Sequence, residues 1–203
     1  MYMLTKNNLL TPKWKDRTHK THLKHLEEYA NKHFEVAFLG DSMMERWLKT
    51  GSKIWNQHYN NYANLGVGGD GIEHLLYRLT DILDMITVDK IVFMIGTNNL
   101  ERHTIDHILE GIVNIVNIIF QKQPNCQLFV YGLLDRTDIL STKIAELNCQ
   151  LEEYIKTQNN SKLVYRFFGD KVNHDDSFFD DNVHLSFLGY KQWYFDLKDI
   201  LAG

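Results

Sequence analysis

The stretch "FLGDSMMERW" (residues 38–47) sets an apolar run against Gly40, Asp41 and Ser42 and then turns at once into an amphipathic pattern. Such a switch predicts a buried strand feeding directly into a helix. Ser and Asp are among the residues that best cap a helix N-terminus, so the first reading of Ser42 is as the cap of that helix. A serine beside a carboxylate at the end of a strand is equally a candidate nucleophile. The turn alone does not choose between the two.

The same alternation continues outward. The runs "EVAFLG" (35–40), "YANLG" (62–66), "KIVFMIG" (90–96), "QLFVYGLL" (127–134) and "KLVYRFF" (162–168) read as buried strands. Helical patterns fall at about 43–50, 71–85, 104–122, 141–158 and 186–201, with one at about 20–32 ahead of the first strand. Over 104–122, Ile105, Ile108, Leu109, Ile112, Val113, Val116 and Ile119 trace one face, and Pro124 stops the helix. Strands apolar on both faces and alternating with helices predict a parallel sheet covered on both sides. The expected fold is a three-layer α/β/α sandwich with a five-stranded parallel sheet, flavodoxin-like, in the order 2-1-3-4-5. With no internal repeat or long linker, residues 1–203 are expected to form one domain, about 1–33 being an N-terminal extension whose helix packs on it.

Composition narrows the function. The 203 residues are 44% apolar and 24% charged, and the net charge of -4 leaves no basic stripe for nucleic acid. Cys126 and Cys149 show no metal-type spacing and are expected to be reduced and structural. The N-terminal "MYMLTKNNLLTPKWKDRTHK" lacks an apolar signal region, and no stretch approaches a membrane span, so a cytoplasmic protein without stable membrane insertion is expected.

Open parallel sheets bind ligands beyond the carboxyl ends of their strands. That rule gathers "GDS" (40–42), "GVGGDG" (66–71), "GTNN" (96–99) and "DDNVHLS" (180–186). Each alone has a plain explanation. "GVGGDG" serves as a turn needing positive φ, "GTNN" caps a helix, and Asp181 with His184 forms a surface pair. A dinucleotide-binding role for "GVGGDG" is disfavoured, because it follows the second strand and lacks the ribose-binding acid about 20 residues on. Together the four supply acyl transfer: Ser42 as nucleophile, His184 as base, and Asp181, three residues earlier, to orient it. The main-chain N–H groups of Ser42 and Gly69 and the side-chain amide of Asn98 are candidate oxyanion-hole donors.

These blocks, "GDSMM", "NLGVGGDGIEHLLYRL", "GTNN" and "DDNVHLSFLGY", resemble those of the SGNH hydrolases, or GDSL-type esterases, over about residues 35–201. Within that family the second block is most similar to the catalytic subunits of intracellular platelet-activating factor acetylhydrolases. The resemblance implies the same triad of Ser42, Asp181 and His184, and an oxyanion hole of Ser42, Gly69 and Asn98. Gly68 is the alternative to Gly69, Asp180 is the rival to Asp181, and Asp41 is assigned to the turn. The resemblance further implies a homodimer, a small-molecule ester substrate, and no cofactor or metal. Asp135 stands where the acetylhydrolases usually carry proline, and Gly71 and Ile72 where they tend to carry small hydroxyl residues, which leaves the head group open.

Met43, Thr97 and Val183, adjacent to the catalytic positions, are expected to line the acyl pocket and to leave room for acetyl or another short group. The function expected is a serine esterase for short-chain esters acting through a covalent acyl-enzyme. Alternatives are a carbohydrate O-deacetylase of the same family, a catalytically silent acyl- or sugar-binding module and, more distantly, a flavodoxin-like nucleotide binder. His19, His22 and His25 share one side of the first helix, but no acid or Cys completes a metal set, and a solvated face is expected. His174 and the acids Asp170, Asp175, Asp176, Asp180 and Asp181 lack calcium-loop spacing and read as a solvated acidic loop.

Overall fold

In the computed structural model, residues 7–136, 140–172 and 175–201 are described. Five strands, β1 (Lys32–Gly40), β2 (Ala63–Gly66), β3 (Ile86–Met94), β4 (Gln127–Tyr131) and β5 (Leu163–Arg166), form one parallel sheet in the order β2-β1-β3-β4-β5. This is the expected order. β1 lies inside the sheet, and Val36, Ala37, Phe38 and Leu39 are fully buried, as a strand covered on both faces requires. β1 and β3 start earlier than their apolar runs, because pairing of Lys32 with Ile86 and His33 with Thr87 extends the ladder through exposed positions.

The helices are α1 (Asp16–Tyr29), α2 (Ser42–Glu45), α3 (Ser52–His58), α4 (Ile72–Met85), α5 (Ile105–Lys122), α6 (Ser141–Thr157) and α7 (Phe187–Leu201). α4, α5 and α6 pack side by side with α1 against α4, whereas α3 meets α7. Right-handed crossovers put these two groups on opposite faces of the sheet, giving three layers. The helix expected at 43–50 is the single turn α2 followed by a 3-10 turn, Arg46–Leu48, and α3 has no counterpart in the sequence reading. On the α3/α7 side, Phe38, Trp47, Trp55, Tyr59, Tyr190 and Trp193 form a continuous aromatic cluster. From it the Tyr190 hydroxyl donates to the Met43 carbonyl at 2.8 Å, tying α7 to the turn that carries Ser42.

The solvated histidine face is corrected. His22 and His25 are buried where α1 packs on α4, and burial pushes the His25 imidazole down to about 3. Among the described residues no cluster of three metal-ligating side chains occurs, and His174 lies outside them. Cys126 is buried and Cys149 exposed, both as free thiols. No helix among the described residues is long and apolar enough to cross a membrane.

Candidate active site

Gly40, Gly66 and Met94 stand in register, so β1, β2 and β3 end at one level and release their loops toward the same space. Gly40 is required there, since a Cβ would overlap the Met94 carbonyl oxygen of the neighbouring strand. The next residue corrects the first reading of the turn. Asp41, not Ser42, caps α2, its carboxylate accepting from the Met43 N–H at 3.0 Å. Ser42 is thereby the first helical residue, with its hydroxyl free to face outward from the helix N-terminus.

That hydroxyl lies 3.0 Å from Nε2 of His184, and Nδ1 of His184 lies 2.8 Å from Asp181 Oδ2. The other carboxylate oxygen of Asp181 accepts from the main-chain N–H groups of Val183 (2.8 Å) and His184 (2.7 Å). Burial raises the Asp181 pKa, but the His184 ring and these two amides outweigh it and bring the carboxyl down to about 2. An ionised Asp181 therefore fixes the ring orientation, with Nδ1–H toward the acid and Nε2 toward Ser42. Asp180 points elsewhere, its carboxylate 3.9 Å from the Arg46 guanidinium.

Gly69 adopts φ +78°, a left-handed conformation that suits glycine, and its carbonyl accepts from Lys15 Nζ at 2.7 Å. Gly68 instead packs against Glu45 and Arg17. Asn98 donates one Nδ2 hydrogen to the Asp70 carbonyl at 2.9 Å, which leaves the second for another acceptor. Gly69, Asn98, Thr97, Val183 and His184 all border one open cavity of about 1110 Å³. Beside it, Met43, Thr97 and Val183 close on a second space with Met94, Leu133 and Leu134. This second cavity is only about 10 Å³, room for about one water-sized group. A third, of about 690 Å³, lies away from these residues between α6 and the end of β5.

The sequence reading did not single out what lies beneath the loops. Arg78 of α4 is fully buried and donates from Nε to Asp70 (3.0 Å), from Nη1 to the Leu65 carbonyl (2.8 Å) and from Nη2 to the Gly40 carbonyl (3.0 Å). Asp70 also accepts from the Thr18 hydroxyl of α1. One guanidinium thus ties together the ends of β1 and β2, and through the Asp70 backbone reaches Asn98. The signal was a cation at position 78 inside the apolar face of Leu75, Leu79 and Ile82.

Asp41 carries a further consequence. Its second carboxylate oxygen has no hydrogen-bond partner. Burial pushes its pKa up to about 7; the Met43 N–H opposes this, Asp70 adds to it and Arg78 opposes it. An acid whose folded pKa is raised contributes stability below its ordinary range that is lost as pH rises toward 7. Asp41→Asn, whose amide oxygen can still accept from Met43, is therefore expected to gain melting temperature relative to the parent between pH 5 and pH 8. A difference between the two proteins that stays constant with pH would contradict this burial.

The GDSL-like lipase/acylhydrolase family matches residues 38–192. The human platelet-activating factor acetylhydrolase IB subunit alpha1 is 30% identical over 181 residues, covering 83% of this chain and 76% of that one. Among solved structures, a Streptococcus pneumonia protein named for platelet activating factor superposes with a TM-score of 0.78 at 21% identity, covering 91% and 92% of the two chains. A Clostridium thermocellum family two carbohydrate esterase gives 0.66 at 10% identity, covering 86% of this chain and 65% of that one.

Proposed function

The chain belongs to the GDSL-like lipase/acylhydrolase family and is a hydrolase of the esterase type, and on that premise we propose that it cleaves short-chain, acetyl-type esters through a covalent acyl-enzyme on Ser42. The observation that carries this reading is the unbroken relay Ser42 Oγ, His184 Nε2, His184 Nδ1, Asp181 Oδ2, with both contacts within 3.0 Å. In the reaction, Ser42 Oγ attacks the ester carbonyl carbon as His184 Nε2 takes the hydroxyl proton, and Asp181 stabilises the imidazolium. The carbonyl oxygen becomes an oxyanion, for which the Ser42 and Gly69 N–H groups and the second Asn98 amide hydrogen are the donors. Collapse breaks the bond to the leaving alcohol, which receives the proton from His184. Water then attacks the acyl-serine by the same route, releasing the carboxylic acid and restoring Ser42.

The two cavities divide the substrate. The small one bordered by Met43, Thr97 and Val183 suits the acyl methyl, and the large one suits the alcohol half. An octanoyl chain adds six methylenes to acetyl, and forcing excess groups into a packed site costs about 1–3 kcal/mol. That corresponds to a rate ratio of roughly 5- to 160-fold. Turnover of p-nitrophenyl acetate is accordingly expected to exceed that of the octanoate by at least about fivefold. An octanoate rate above the acetate rate would overturn the short-acyl assignment. Absence of any turnover that depends on Ser42 would overturn the esterase mechanism itself.

A further inference from the structure

One wall of the small cavity is held from outside the catalytic loops. Met43, Thr97 and Val183 share that cavity with Leu133, which is buried in the loop after β4. β4 ends at Tyr131, and the Gly132 N–H still donates to the Arg166 carbonyl of β5 at 2.9 Å. Leu133 follows and meets α6 instead. Its N–H donates to Asn148 Oδ1 at 2.8 Å, and its carbonyl accepts from Asn148 Nδ2, also at 2.8 Å. A single side-chain amide, acceptor and donor side by side, thus pairs both main-chain groups of one residue, as a neighbouring strand would.

Two glycines let this arrangement close. A Cβ at Gly132 would run into the Tyr165 hydroxyl and stand 3.0 Å from Asn148 Oδ1, so glycine lets α6 approach the end of β4. Toward β3, Leu133 Cδ1 lies 3.8 Å from where a Cβ on Gly96 would be, and Gly96, at φ +125°, leads directly into Thr97 and Asn98. The Leu133 side chain therefore rests against the loop after β3 while α6 fixes its main chain. A cavity of about 10 Å³ keeps its size only while each wall stays in place. The amide is specific for this task. Aspartate at 148 would lack the donor and set a carboxylate against the Leu133 carbonyl, and alanine would offer neither partner.

We propose that Asn148 is a positioning residue for acyl selection: by holding Leu133 at the small cavity, it limits the acyl half of the ester to a short group. The assignment rests on the esterase reading, since the cavity takes its meaning from Ser42 beside it. Asn148 bonds to Leu133 and not to Ser42, His184 or Asp181, so it acts on which acyl group fits and leaves the proton relay alone.

The test compares kcat/KM for p-nitrophenyl acetate, butyrate and octanoate in the full chain and in four variants. Leu133→Ala removes the wall itself and is expected to raise the butyrate-to-acetate ratio by at least about fivefold, the lower end of what overpacking a fixed site costs. Asn148→Ala and Asn148→Asp are expected to raise the same ratio, because Leu133 is then no longer held. Leu147→Ala is the control for stability. Leu147 is fully buried on the same helix and does not border the cavity, so its loss is expected to lower the melting temperature and leave the ratio unchanged. Should Asn148→Ala fail to fold, Asn148→Asp carries the same comparison. A ratio unchanged in the Asn148 variants or in Leu133→Ala, or shifted as far by Leu147→Ala, would overturn the role of Asn148 while leaving the esterase standing. Hydrolysis of none of the three esters by the parent would instead remove the esterase reading and this role with it.

Discussion

Ser42→Ala is expected to lower kcat/KM on aryl acetates by on the order of 10⁶-fold, and His184→Ala by a similar factor, with the double variant no worse than either single one. The reason is the relay itself. A serine hydroxyl without a base is a poor nucleophile, and a base 3.0 Å from a missing hydroxyl has nothing to activate. Once either is lost, only binding and oxyanion stabilisation remain, and those are common to all three variants. Steady-state kinetics on the two single variants and the double variant measure this. Additive losses, or a Ser42→Ala protein retaining a tenth of the parent activity, would show that the two side chains do not act as one unit.

The second large effect falls on stability. Arg78→Met is expected to cost about 3–5 kcal/mol, because it strands a buried carboxylate on Asp70 and leaves the Leu65 and Gly40 carbonyls without their donors. Both side chains of this ion pair are fully buried, so water cannot substitute for the guanidinium. For a domain of this size each kcal/mol corresponds to a few degrees, so the melting temperature is expected to fall by on the order of 10 °C. Arg78→Met combined with Asp70→Asn is expected to be less destabilised than the sum of the single variants, since the stranded charge is then gone. Denaturant unfolding of the three variants tests it. A cost under about 1 kcal/mol for Arg78→Met would mean that the loops are held in place without the buried pair.

Much of this organisation is legible in the residues, for identifiable reasons. Strands buried on both faces leave continuous apolar runs, and a parallel sheet whose crossovers share one hand admits few orders, so β2-β1-β3-β4-β5 could be anticipated. Strand ends could not. Lys32 and His33 are polar and exposed, and only the ladder to Ile86 and Thr87 makes them strand. α3 escaped because a seven-residue helix burying only Ile54 and Trp55 shows too few turns for a period to emerge. At the site, Ser42, His184 and Asp181 could be singled out as candidates because their chemistry is specific and their loops follow strand ends, and the structure brings the three within hydrogen-bond reach.

Other features of the site depend on contacts between distant segments. Asp41 and Ser42 are both good caps, and which one closes α2 is decided by backbone geometry at the β1 end. Arg78 reaches Gly40 across 38 positions, and Lys15 reaches Gly69 across 54. Neither distance leaves a local pattern, although a lone cation on an apolar helical face is a usable warning. The buried histidines of α1 misled for the same reason: their solvent exposure depends on where α4 lies.

A nucleophilic Ser42 activated by His184 leaves a chemical signature of its own. Treating the protein with a fluorophosphonate, in which serine attack on phosphorus expels fluoride, and locating the adduct by peptide mass spectrometry tests this most directly. One stoichiometric adduct on Ser42 is expected, with none in Ser42→Ala and labelling slowed by orders of magnitude in His184→Ala. An unlabelled parent protein, or an adduct that persists in Ser42→Ala, would contradict it.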